Sequence, residues 1–219
     1  MWKYALSLIF IGGLNLTGQL FSRPTQVTEG KITYSVEVVK SDLNYLEEMA
    51  INLSTLTISF KDEAIRTDFG VAISGTTIIQ DSKANKGLML LDVLGTKKAV
   101  QLGETKEEQI KPNITYLDET KTIAGYACKK AIITVDDSTQ LTAYYTDQIS
   151  PENKVTKYTY GNLKGFPLEM QVDLDGTLVN LKAESVDASA QDASDFSLTV
   201  PEGYELTTMQ ELEKLTGGK

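Results

Sequence analysis

Histidine is missing from all 219 residues. Without it there is no Ser-His-Asp or Cys-His catalysis, no histidine-ligated zinc and no ordinary proton shuttle near neutral pH. Cysteine occurs once, at Cys128, which excludes an intramolecular disulfide and leaves a structural zinc site without ligands. Cys128 opens an apolar stretch and reads as a small buried hydrophobe; an intermolecular bridge or a reactive thiol are its other readings. Positive charge is also short, with 21 Lys and Arg against 30 Asp and Glu and a net charge of -9. Such a surface repels phosphate backbones and anionic lipid heads, so nucleic-acid binding is not expected. Lys97, Lys98, Lys129 and Lys130 sit among carboxylates and form no basic stripe. No segment repeats at a solenoid or propeller period.

Long hydrophobic runs are lacking too: none reaches the roughly 20 apolar residues that span a bilayer. The nearest is Ala5 to Leu16, behind Lys3 and broken by Ser7, Gly12, Gly13 and Asn15. This pattern predicts an export signal over residues 1–18, cut after Gly18 or alternatively after Ser22, or else retained as an N-terminal anchor. No cysteine stands there to carry a lipid. The mature chain is therefore expected in the periplasm or secreted, with no transmembrane segment. Residues 19–30 read as a flexible lead-in and residues 31–219 as a single β-rich domain.

What the chain does have is alternation. Ile32, Tyr34, Val36 and Val38 share one face of a predicted strand Lys31 to Val39, with Thr33, Ser35 and Glu37 on the other. Ser41 to Leu53 switches to helical spacing, with Ser41 as N-cap and a stripe of Leu43, Leu46, Met49, Ala50 and Leu53 to bury against a sheet. Further strands are predicted at Leu56 to Phe60, Ile65 to Phe69, Gly75 to Asp81, Gly87 to Val93 and Lys98 to Leu102. Leu88-Met89-Leu90-Leu91 is apolar on both faces and needs cover on both, or a cavity on one.

Glu104 to Pro112 reads as an exposed loop, followed by strands at Thr115 to Leu117, Cys128 to Val135, Leu141 to Thr146 and Lys154 to Gly161. Pro167 to Val186 is the clearest hairpin, turning at Asp175-Gly176. Thr208 and Glu211 have capping-box spacing ahead of a terminal helix. Roughly ten antiparallel strands of this kind curl into a barrel, partial barrel or sandwich.

Little of this is chemistry. Asp173-Leu174-Asp175-Gly176 lacks the oxygen ligands of a calcium loop and is better explained as a turn. Glu47-Glu48, Glu107-Glu108 and Asp136-Asp137 are adjacent pairs typical of solvated faces, and nothing converges them on a cleft. No catalytic residue, metal ligand or cofactor site is expected, and no enzyme. The positive candidates are apolar: Ile58, Phe60, Leu88, Leu90, Tyr145, Phe166, Leu168 and Met170 could line a concave sheet surface, lidded by the two helices, or simply fill a core.

Four segments carry a family resemblance. They are Glu119 to Lys130, containing Ile123-Ala124-Gly125-Tyr126-Ala127-Cys128; Ala143 to Asp147; Leu163-Lys164-Gly165-Phe166-Pro167-Leu168-Glu169; and Asp195 to Leu198 with Pro201-Glu202-Gly203-Tyr204. In this order they resemble an uncharacterised secreted or periplasmic family of Bacteroidota, a domain of unknown function. Ala143-Tyr144-Tyr145 departs from it where tryptophan is common. That family is similar to the lipoprotein-carrier superfamily (LolA, LolB and LppX types). The resemblance implies a curved antiparallel half-barrel with an inserted and a C-terminal helix, mainly β with minor α, enclosing an apolar cavity. It implies no catalytic or binding residue. Two functions follow as expectations: a non-enzymatic periplasmic protein sheltering a lipid or acyl ligand on the concave face, or an envelope structural or protein-interaction module with a filled core.

Overall fold

The structure, a computed structural model, describes residues 26–71, 74–103, 112–136, 139–152, 163–174 and 176–216. The export signal over residues 1–18, most of the lead-in, nearly all of the Glu104 to Pro112 loop, the strand Lys154 to Gly161 and Asp175 of the hairpin turn lie outside these residues. Among the described residues, twelve strands and two α-helices follow in chain order: β1 (Gly30–Lys40), α1 (Tyr45–Asn52), β2 (Thr55–Lys61), β3 (Ala64–Val71), β4 (Ser74–Asp81), β5 (Lys86–Val93), β6 (Thr96–Leu102), β7 (Asn113–Ile123), β8 (Tyr126–Thr134), β9 (Gln140–Thr146), β10 (Phe166–Leu174), β11 (Thr177–Asp187), β12 (Glu205–Thr207) and α2 (Met209–Thr216). A short 3-10 turn, Ala193–Phe196, precedes β12.

All twelve strands join one sheet in the order β12-β6-β5-β4-β3-β2-β1-β11-β10-β9-β8-β7. Every neighbouring pair is antiparallel except β12 with β6. The sheet is open and strongly curved. Ile123 and Cys128, on β7 and β8, share a core cluster with Ile58 and Phe60 of β2, five strand positions from β8. A flat sheet would hold β2 and β8 about 24 Å apart at about 4.8 Å per strand. Curling brings them together, which is the half-barrel the resemblance implies.

Tight turns set the registers. At β7–β8 the turn residues Ala124 and Gly125 have φ of 47° and 86°, and at β5–β6 Leu94 and Gly95 have 53° and 82°. Positive φ at both central positions is what a twisted two-residue hairpin demands. Register shifts then bend the sheet: one leaves Glu184 of β11 unmatched opposite β1, another leaves Leu168 of β10 unmatched opposite β9, and further shifts fall at Val38–Lys40 of β1 and Tyr116–Thr120 of β7.

From β1 to β6 the register is unbroken, so direct cross-strand partners share a face. Ile32, Ile58, Thr67, Ile78, Met89 and Val100 form one row. Ser59, Arg66, Ile79, Leu88 and Gln101 form the neighbouring row, on the opposite face. The first face carries the main core, where Ile32, Phe60 and Leu168 are fully enclosed. The second is covered at the β5–β6 end by the C-terminal segment, whose Leu198, Val200 and Tyr204 pack on Leu88, Leu90 and Ala99. The doubly apolar β5 is thus covered on its Leu88 and Leu90 side, while Met89 and Leu91 on the other face are half-buried.

That C-terminal strap is tied down along its length. Glu29 accepts from the Gln191 amide at 2.7 Å and pairs with Lys61. Arg66 grips Asp68 through Nε and Nη2 and donates from Nη1 to the Asp195 carbonyl at 3.1 Å. β12 then docks in parallel on β6, and Lys98 pairs with Glu205 at 2.6 Å. The capping box of α2 is present as expected: the Thr208 amide donates to Glu211 and the Glu211 amide to Thr208.

The inserted helix differs from expectation. Its N-cap is Asn44 rather than Ser41, with Glu47 reaching back to the Asn44 amide to complete a capping box. The helix is rotated relative to the expected stripe. Ile51, outside that stripe, packs on the main core, and Asn52 Oδ1 accepts from the Val38 amide at 2.7 Å. These two contacts turn Leu46, Met49 and Leu53 away from the sheet.

Candidate functional site

The eight apolar candidates do not form one surface. Ile58, Phe60, Phe166 and Leu168 meet in the main core, with the rings of Phe60 and Phe166 5.9 Å apart. Met170 joins a neighbouring cluster with Ile133 and Ala143. Tyr145 is buried against Tyr116, edge to face at 5.6 Å, and its phenol is pushed up chiefly by burial. Leu88 and Leu90 correct the expectation of a shared wall. The β2–β5 register puts them on the face opposite Ile58 and Phe60, under the C-terminal strap. The lid role also changes: α1 buries none of its residues. All eight candidates pack against protein and are buried.

A cavity of about 220 Å³ opens at one end of the barrel. Ile149, Pro151, Leu163, Phe166 and Pro167 supply its apolar wall, and Gln26, Asp147, Ser150 and Lys164 its polar one. A bridge between Val27 and Ile149 runs beside it, fixed by the Val27 amide on the Gln148 carbonyl at 2.8 Å. Ligand pockets commonly measure about 300–1,000 Å³. This cavity is too small to enclose a whole acyl lipid.

The motif segments of the family resemblance resolve into structural parts. Gly125 supplies the left-handed turn residue between β7 and β8. A Cβ at Gly165 would lie 2.3 Å from the Thr146 carbonyl oxygen. Cys128 is fully enclosed, and burial pushes its thiol up to about 11, against the opposing pull of a backbone hydrogen bond at Ile123 and of Lys121 across the ladder. Such a thiol is a poor nucleophile.

Polar groups nearby are paired. Glu119 accepts from Lys130 at 2.9 Å and from the Tyr144 hydroxyl, which together hold its carboxyl below the usual range. Lys121 pairs with Glu169 at 2.7 Å and lies 3.6 Å above the Tyr144 ring. Each lysine of the group has a carboxylate partner. Among the described residues no group of three or more Cys, Asp or Glu is placed to hold a metal ion, and no helix is long and apolar enough to cross a membrane.

The exposed apolar residues are concentrated instead. Tyr45, Leu46 and Leu53 are 76 %, 68 % and 70 % exposed, and Met49, Leu43 and Val39 stand beside them. Strand directions put α1 at the same end of the barrel as the β5–β6, β8–β9 and β10–β11 turns. Those turns present Leu94, Val135 and Leu174 to solvent. Among the described residues, only Leu117, Leu206 and Met209 of the exposed large hydrophobics lie elsewhere. Hairpin tips normally carry polar residues and glycine. An exposed leucine in the left-handed conformation, as at Leu94, breaks that rule. Sequence pattern alone assigned the helix stripe to the core; the signal it missed was Ile51, the apolar residue off the stripe.

No family model and no curated protein matches the sequence. Among solved structures, PNGF-II in space group C2 aligns with a TM-score of 0.51 at 14% identity, covering 85% of this chain and 32% of that one. The chain spans about a third of PNGF-II, and the likeness is one of fold alone. Looser likenesses, which carry no functional argument, are to the MucA/MucB complex of Pseudomonas aeruginosa (TM-score 0.44, 11% identity, 83% of this chain, 58% of that) and to a β-barrel-like protein of domain of unknown function DUF1849 from Brucella abortus (0.36, 12%, 74%, 98%).

Proposed function

We propose that this protein is a non-enzymatic, exported module of the cell envelope that works by docking a polypeptide on the apolar rim around α1. The observation that carries this reading is α1 itself: it fully buries no residue and presents Tyr45, Leu46 and Leu53 to solvent. A soluble domain that spends its large apolar side chains on one end of the barrel is built to cover them with a partner. The half-barrel serves as a rigid platform, and the N-terminal export pattern supports an envelope or secreted location.

The test is ANS binding: the rim should bind the apolar dye in the folded protein, and the double variant Leu46→Glu, Leu53→Glu should abolish that signal without changing the far-UV spectrum. Dye binding unchanged by the double variant would overturn the reading.

The cavity beside Phe166, at the end of the barrel opposite α1, supports a second reading, an apolar-ligand site. Its volume of about 220 Å³ suits a small guest or the end of a chain. Native mass spectrometry of protein taken from its own compartment separates the two. An acyl adduct supports the ligand site; the bare chain mass removes it.

A further inference from the structure

The rim has a charge as well as an apolar surface. From Glu37 to Thr55 the chain carries Glu37, Asp42, Glu47 and Glu48 against a single cation, Lys40. Glu47 has a local reason to be there, since it completes the helix cap, and Glu48 accepts from Ser41. Glu37 and Asp42 are exposed and have no capping role. Asp173 adds a fifth carboxylate from the adjoining β10–β11 hairpin. Lys182 lies opposite Ser35, diagonal to Glu37 on the same face and further from the tip than Asp173, which faces Leu178. The last turn of α1 has no basic residue.

Resting on the docking reading of α1, we propose that the occupant of this rim is a cationic amphipathic polypeptide segment. Its apolar side chains cover Tyr45, Leu46, Met49 and Leu53, and its flanking Lys or Arg residues lie over Glu37, Asp42, Glu47 and Asp173. Charge complementarity excludes the competing occupants. A second copy related by a two-fold axis sets the same acidic rim against itself, and anionic lipid heads meet the same repulsion. The eight residues of α1 extend about 12 Å, enough contact for two to three turns of a partner helix.

The test is fluorescence anisotropy of the full protein with two labelled model peptides sharing one leucine face, the polar face being lysine in one and glutamate in the other. The lysine peptide binds at least about tenfold tighter than the glutamate peptide, and its affinity falls about tenfold as salt rises from about 50 to about 300 mM. Leu46→Glu with Leu53→Glu weakens it by at least about tenfold, and Glu63→Gln at the opposite end leaves it unchanged. Equal binding of both peptides, or affinity indifferent to the rim variants, overturns the proposal. So does a dimer, or flotation with phosphatidylglycerol vesicles, that Leu46→Glu abolishes. If neither peptide binds while the dye signal at the rim persists, the cationic occupant fails and the docking rim stands; if the dye signal is also insensitive to the rim variants, both fail.

Discussion

The Tyr34 hydroxyl on β1 donates a 2.9 Å hydrogen bond to the main-chain carbonyl of Pro167 on β10, reaching across the whole of β11. Tyr34 pairs with Ala183, whose small side chain leaves the path open. The accepting carbonyl belongs to the residue just before the β10 bulge, where the ladder to β9 is interrupted. The bond therefore holds the curvature of the sheet at a point where the backbone alone does not. Tyr34→Phe keeps the ring and removes the donor. It is expected to cost about 1–3 kcal/mol, because the carbonyl stays buried without this partner. Urea denaturation with an unchanged m-value is the measurement; no loss would mean that the bulge is held by other contacts.

Cys128 makes a pH-dependent contribution whose sign is fixed. Burial pushes its thiol from an ordinary value of 9.0 up to about 11 in the folded chain. Between those values the unfolded state has released a proton that the native state retains, so ionisation favours unfolding. Stability from this residue is complete below pH 9 and falls as pH rises to about 11. Cys128→Ala should remove that alkaline slope. In the native protein at pH 8, thiol reagents should react only after urea is added.

The C-terminal strap gives the third expectation. Leu88 and Leu90 form the floor on which Leu198, Val200 and Tyr204 rest. Leu88→Ala should cost about 2–5 kcal/mol as a buried large-to-small change, and Leu90→Asp more, through an unpaired buried charge. Arg66→Met acts locally: Asp68 keeps its bond from Thr77 at 2.6 Å, but the Asp195 carbonyl loses its donor. Hydrogen exchange in residues 193–204 should quicken in Arg66→Met while β2 and β3 amides stay protected. Equal quickening across the sheet would refute a separate strap.

The sheet was legible because its faces alternate. Ile32, Tyr34 and Val36 read as inward and are buried; the β10–β11 hairpin was visible in the strict alternation from Leu168 to Leu174. Long-range geometry was less visible. The β7 strand runs from Asn113 to Ile123, well beyond its apolar centre, because its edge position pairs charged residues such as Lys121 with β8. The parallel strand β12 has three residues and no alternation to detect. Leu88 and Leu90 read like Ile58 and Phe60 because composition cannot say which face a strand turns to which cover. That depends on a register fixed by turns such as Leu94-Gly95 and on a strap a hundred residues away. The rim was read backwards for a related reason. Apolar spacing marks a helix face, but only Ile51 and the Asn52 bond to Val38 decide which face is turned inward.

Two glycines of the family-like segments separate two kinds of constraint. At Gly125 the backbone sits at φ +86° with open space around the missing Cβ. Gly125→Ala therefore pays only for conformation, about 1 kcal/mol. Gly165 is the reverse case. A Cβ there would lie 2.3 Å from the Thr146 carbonyl oxygen and 2.7 Å from its carbon. Both are backbone atoms of β9, so no side chain can swing aside and the strands must part beside Phe166. Gly165→Ala should cost about 3 kcal/mol or more, at the severe end of single substitutions, and should open the cavity there. Urea midpoints of the two variants, compared side by side, check the order. Were Gly125→Ala the more damaging, the close approach of β9 to Gly165 would not be what that glycine serves.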